Sequence, residues 1–165
     1  MKKILLIIIL AFLSFSPLLT KAQAQQASVK ITGEVTTPLT ISDASLQKFR
    51  QTTVVRKDRD GKDHSYSGVL LSDLLQKAGV TMGTELKGEN LTKYLLVEAS
   101  DGYQVIFALP ELDNGYTDRM IILADQVDGK PLLPADGPFR IIVQDEKMPA
   151  RCIKQVTKIT IAFAK

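Results

Sequence analysis

The sequence predicts an α+β domain dominated by a mixed β-sheet, and three observations carry that expectation. Seven or eight short runs rich in β-branched and other apolar residues read as strands, two Asp-Gly pairs at 60–61 and 101–102 sit between such runs, and the two or three helical patterns fall in no regular strand-helix-strand order. No repeat, low-complexity tract or linker divides the chain, so a single domain is expected over residues 28–165.

The elements follow in order. "VKITGEV" and "LTIS" read as two strands on either side of Pro38, and "SDASLQKF" as a short helix capped by Ser42 or Asp43. "TTVVRKDRDGKDHSYSGV" forms two extended arms about Asp60-Gly61, a hairpin signal because that pair accepts the positive φ of a tight turn. In "LLSDLLQKAGV", Leu71, Leu74, Leu75 and Ala78 recur at helical spacing, and Gly79 stands where such a helix stops. "KYLLVEASDGYQVIFALPEL" is the clearest hairpin, with arms at 94–99 and 103–109 and one helical turn opened by Pro110. "RMIILADQVDGKPL" reads as a buried strand entering a turn at Asp128-Gly129. "FRIIVQ" is another strand, and "TKITIAFA" is the last, with Ile159, Ile161 and Phe163 facing inward.

Residues 1–24, "MKKILLIIILAFLSFSPLLTKAQA", have a basic start, an unbroken apolar run from Ile4 to Leu13, a breaker at Pro17 and a small-x-small pattern at Ala22-Gln23-Ala24. This is a secretory signal peptide, since the apolar run falls short of the roughly 20 residues that span a bilayer. The mature protein is therefore expected to be periplasmic or secreted, with no transmembrane segment after cleavage. Cleavage removes Lys2, Lys3 and Lys21 and no acid, so 18 basic residues match 18 acidic ones. A near-neutral chain lacks the basic footprint of a nucleic-acid partner.

Few signatures of known chemistry are present. The sequence has no Gly-rich phosphate loop, no G-x-S-x-G, no H-E-x-x-H and no Cys-x-x-Cys. His64, the single histidine, lies in the charged tip "DRDGKDH" and reads as a surface side chain. Asp58, Asp60 and Asp63 in that tip miss the spacing of a calcium loop, with glycine two places early and Val69 where the bidentate Glu belongs. Cys152, the only cysteine, is a soft metal ligand, a thiol activated by Arg151 and Lys154, or a small half-buried hydrophobe, and the last is the ordinary state of a free cysteine.

The group that points to ligand binding is Arg140, Arg151 and Lys154. If the strand from Phe139 to Val143 converges with residues 150–154, three cations gather near free backbone N–H groups, chemistry suited to a phosphate or another small anion. Equally, Arg151 and Lys154 are solvated charges and Arg140 pairs with an acid such as Asp101.

"ITGEVTTPLTIS", "YSGVLLSDLLQKAGV", "LLVEASDGYQVIFALPEL", "IILADQVDGKPLLPADGPFRIIV" and "ARCIKQVTKITI" follow one another in an order that resembles the molybdopterin-binding domain of sulfite-oxidase-like oxidoreductases. The resemblance extends from Lys30 to about Ala164 and implies that family's fold and a pterin cofactor, molybdopterin, whose dithiolene holds molybdenum. It implies that Asp101 holds the amino-pyrimidine ring, that Arg140, in "G-P-x-R", meets the phosphate, and that Cys152, Ile153 and Lys154 grip the cofactor. With Arg151 these are the candidate cofactor-binding residues; no catalytic or metal-ligating residue is assigned. Pro131, Pro134 and Pro138 would then fix the loop that presents Arg140.

The sequence also departs from the family. The metal-ligating cysteine would fall in "TTVVRKD", which has none; the pocket histidine corresponds to about Ala135; and the Asn- and His-rich segment would precede Val29. Without the thiolate, sulfite oxidation by the family's mechanism is not expected. Two functions follow as alternatives. One is binding of molybdopterin or a related phosphorylated ligand in a deep, positively lined pocket. The other is a non-catalytic binding or interaction module that kept the fold and lost the cofactor, with its pocket filled by its own side chains and Arg140 paired internally.

Overall fold

The computed structural model describes residues 27–164; the expected signal peptide at 1–24 lies outside them. Ten strands form two sheets. The first contains β1 (Ser28–Gly33), β2 (Leu39–Ser42), β5 (Lys93–Ala99), β6 (Gln104–Ala108) and β10 (Val156–Phe163), in the order β2-β1-β10-β5-β6. β10 runs parallel to β1 and antiparallel to β5, so this sheet is mixed. The second contains β3 (Gln51–Lys57), β4 (Asp63–Leu70), β7 (Ile121–Val127), β8 (Lys130–Pro131) and β9 (Arg140–Val143), with β8 and β9 both paired to β7.

Local chemistry explains the short helices. α1 (Asp43–Leu46) begins at Ser42, whose hydroxyl accepts from the Ser45 N–H while the Ser45 hydroxyl accepts from the Ser42 N–H, a reciprocal cap. α2 (Leu71–Ala78) buries Leu71, Leu74, Leu75 and Ala78 along one face and ends at Gly79, whose φ of 74° is the left-handed conformation that favours glycine. Leu74 and Leu75 join Ile31, Leu95, Phe107, Ile122 and Ile141 in one continuous core. Among the described residues no helix is long and apolar enough to cross a membrane.

Two expectations are adjusted. Phe163 is half-buried beneath the Lys93 ammonium, 4.7 Å from its ring centroid, instead of joining the core with Ile159 and Ile161. The strand count exceeds seven or eight partly because β8 is only two exposed residues, which carry no hydrophobic alternation.

Register positions the site. Val54 pairs with Tyr66 and Arg56 with His64 across the β3–β4 hairpin, so these four side chains share its inner face. Ala124 pairs with Gly68 on one side and Arg140 on the other, which brings β9 alongside that hairpin through β7. The chain after β9 then returns: Ile141 N–H donates to Ile153 O at 2.9 Å, Val156 N–H to Phe139 O at 2.9 Å, and Gln155 N–H to Asp136 O at 3.0 Å. The convergence on which the cation cluster depended is thus built from backbone hydrogen bonds.

Candidate functional site

A cavity of about 580 Å³ opens where the β3–β4 hairpin tip, the β5–β6 turn, the loop before β9 and the segment before β10 meet. Asp101, Arg140, Cys152, Ile153 and Lys154 all line it. Arg151 is not among the lining residues. Its guanidinium spans Glu111 at 2.9 Å and Glu146 at 2.7 Å and lies over the Phe107 ring, 5.0 Å from the centroid. Two carboxylates and an aromatic face satisfy that cation away from the cavity.

Arg140 is 5% exposed and is held from three sides. Nη1 donates to the Tyr66 hydroxyl at 2.9 Å and to Asp136 Oδ2 at 3.1 Å, and Nε donates to Cys152 O at 3.4 Å. Its counter-ion is therefore Asp136; Asp101, the acid suggested by the sequence, instead accepts the Tyr103 N–H at 2.9 Å within its own turn. Lys154 reaches the other oxygen of Asp136, with Nζ 2.5 Å from Oδ1. Arg140 Nη2 and the N–H groups of Ile153 and Lys154 donate to no other described residue.

Several contributors escaped the sequence reading. Tyr66 donates to Asp58 Oδ2 at 2.5 Å, and Asp58 Oδ1 accepts from buried Arg56 at 2.5 Å, so a network runs Arg56–Asp58–Tyr66–Arg140–Asp136–Lys154. Burial, followed by the hydrogen bond to Asp58, raises the pKa of the Tyr66 phenol well above its ordinary value, so it acts as a neutral link. Gln155 fastens the loop from below. With φ at 50°, it donates from Nε2 to Pro134 O at 3.1 Å and accepts the Ser100 hydroxyl at 2.6 Å. Only tertiary pairing reveals these roles; no local motif marks them.

His64 lines the same cavity and is not simply solvated. Nδ1 lies 2.7 Å from Asp128 Oδ2 and Nε2 3.0 Å from Asp60 Oδ2, and the hydrogen bonds to Asp128 and then Asp60 push its pKa up to about 9. The imidazole is thus protonated near neutral pH. Among the described residues no group of three or more His, Cys, Asp or Glu side chains could hold a metal ion.

The cavity's charge follows. Asp58, Asp60, Asp101 and Asp136 face Arg59, Arg140, Lys154 and protonated His64, four anions against four cations. A uniformly positive lining is not what the structure shows. Nor is the cavity filled by its own side chains, although Arg140 is paired internally. It is an open, charge-balanced site whose lining residues Arg140, Ile153 and Lys154 carry donors that no described residue claims.

Comparison with known proteins agrees with the fold. Residues 17–164 match the family described as the oxidoreductase molybdopterin binding domain, and the chain belongs to that family. Among solved structures it is similar to the sulfane dehydrogenase SoxCD from Paracoccus pantotrophus, with a TM-score of 0.63 and 22% identity over 83% of this chain. The match covers 38% of that longer chain, so the likeness concerns the fold. No curated protein matches the sequence.

The residues fit the family's cofactor only in part. Arg140 Nη2, the Lys154 side chain and two open N–H groups suit a phosphate, and the volume accommodates a bicyclic ring. The metal end finds no thiolate on β3, where Thr52, Thr53 and Val54 stand, and Cys152 is a free thiol only 3% exposed, in the segment attached to Arg140. No redox step through molybdenum is therefore assigned to these residues.

Proposed function

We propose that this chain is an exported binding member of the molybdopterin-binding family that takes a pterin-type or related phosphorylated ligand in the cavity without performing the family's thiolate-dependent chemistry. The observation that carries the reading is the meeting of Arg140 and Lys154, from two separate segments, on one carboxylate in the cavity, with the N–H groups of Ile153 and Lys154 claimed by no described residue. The phosphate would lie against these cations, and the free oxygen of Asp101 would accept from the ring's amino group. Export rests on the signal sequence at residues 1–24.

A second reading has its own support. Asp136 already neutralises both cations, as expected of a module that kept the fold and lost the cofactor, with loops serving another partner. One experiment separates the two. The full chain is expressed in a host that makes molybdopterin, and bound pterin and molybdenum are measured in the purified protein. Stoichiometric pterin, depleted by Lys154→Ala, is expected from the first reading. Protein without pterin, whose melting temperature does not move when a pterin phosphate is supplied, overturns it.

A further inference from the structure

Asp136 does more than balance charge. Its Oδ1 lies 2.5 Å from Lys154 Nζ and its Oδ2 3.1 Å from Arg140 Nη1, so one carboxylate bridges two cations from different segments as an oxyanion would. Its backbone is fixed: Asp136 N–H donates to Leu133 O at 2.8 Å and Asp136 O accepts from Gln155 N–H at 3.0 Å. The side chain is a quarter exposed, so rotation about its own bonds can withdraw the carboxylate without moving the loop.

We propose that Asp136 is a specificity-determining residue that occupies the anion seat of the cavity and admits only ligands able to replace it on both Arg140 and Lys154. The inference rests on reading this cavity as a phosphate site. Asp136 supplies one negative charge and two oxygens, whereas a phosphate monoester carries about −1.5 to −2 charges and three acceptor oxygens near neutral pH. The extra oxygen and charge match the donors that Asp136 leaves unclaimed, Arg140 Nη2 and the N–H groups of Ile153 and Lys154. Monovalent anions gain nothing over the resident carboxylate, which is tethered and competes at high effective concentration. The seat therefore selects phosphate esters over simple carboxylates and halides.

Calorimetric titration of inorganic phosphate at low salt tests this with the full chain, Asp136→Asn and Asp136→Asn combined with Lys154→Ala. Asp136→Asn is expected to bind phosphate at least ~10-fold more tightly than the parent, because the competing charge is gone, and Lys154→Ala is expected to abolish the gain. Equal affinity in parent and Asp136→Asn, a gain that survives Lys154→Ala, or no phosphate binding in either protein overturns the proposal. Should Asp136→Asn not fold, carbon-detected NMR of the parent serves. The Asp136 carboxyl and Lys154 Nζ-linked resonances must shift together as phosphate is added, and an unmoved Asp136 signal overturns it. Tighter phosphate binding in Asp136→Asn with no pterin in the purified parent would remove the pterin reading and leave this one standing. Pterin bound by a protein in which Asp136→Asn changes nothing would do the reverse.

Discussion

Arg140 donates to the Tyr66 hydroxyl at 2.9 Å, and that hydroxyl in turn donates to Asp58, so a neutral phenol joins a buried cation to a carboxylate already paired with Arg56. The link connects β9 to the β3–β4 hairpin through side chains as well as through β7. Tyr66→Phe keeps the ring beneath the guanidinium, where it lies 5.2 Å from the centroid, and removes only the hydroxyl. Asp58 and Arg140 then each lose a buried partner, at an expected cost of about 1–3 kcal/mol. Arg140→Ala leaves Tyr66 facing a void and takes one of its two cations from Asp136, which keeps Lys154, so about 1–3 kcal/mol is expected. Urea unfolding monitored by circular dichroism measures both, and a Tyr66→Phe protein as stable as the parent would show that the phenol is not a structural link.

His64 makes the hairpin tip sensitive to alkaline pH. Its pKa is raised from an ordinary 6.5 to about 9 by the hydrogen bonds to Asp128 and Asp60. The protonated form is therefore bound more tightly in the folded state than in the unfolded chain. The resulting stabilisation is full below about pH 6.5 and is lost as pH rises through about 9. The His64 ring protons, followed by NMR, should titrate near pH 9, and His64→Gln should flatten the melting temperature between pH 6.5 and 9. A ring that titrates near 6.5 would contradict the clasp.

How much of this was readable in the sequence depends on the range of the interaction. Asp60-Gly61, Asp101-Gly102, the Leu71–Ala78 pattern and the alternation around Ile159 are signals contained within a few residues, and each element is found where they place it. Arg140 and Lys154 were legible as candidates because a proline-rich loop and a cationic segment flank one strand. Their counter-ion was not, because choosing Asp136 over Asp101 depends on how the two segments return past each other. Arg151 shows the same limit: it meets Glu111, 40 positions away, and no local pattern announces that pairing. Tyr66, an ordinary strand residue by pattern, joins the site only because the hairpin's inner face continues into the cavity.

Gly68 is required by close packing between strands. A Cβ built there would lie 2.1 Å from Leu123 O and 2.5 Å from Ala124 Cα, both backbone atoms of β7. The β4–β7 ladder also shifts register between Ser67 and Gly68. Gly68→Ala must push β7 away, and with it β9 and Arg140, at about 1–3 kcal/mol for an overpacked site. A lower urea midpoint is expected, together with weaker phosphate binding in the Asp136→Asn background. Unchanged stability would mean that β7 yields more easily than a paired strand should.

Asp125 is a destabilising acid that the fold tolerates. It is buried at β7, with Oδ2 held by Gln47 Nε2 at 2.5 Å and Oδ1 without a partner among the described residues. Burial, assisted by the nearby Asp43 carboxylate, raises its pKa above the ordinary 3.8. Because the folded state holds this proton more tightly than the unfolded chain does, the group favours folding most at low pH and opposes it once pH rises through the folded pKa. Asp125→Asn removes the charge while keeping an oxygen for Gln47 and adding a donor that can face Asp43. The variant is expected to melt above the parent at pH 7, with the gap closing as pH falls toward 4. Asp43→Asn should recover part of the same gain, since it lifts the repulsion without altering the burial. A variant that melts below the parent at pH 7 would show that the Asp125 charge is compensated, contrary to its orphaned oxygen.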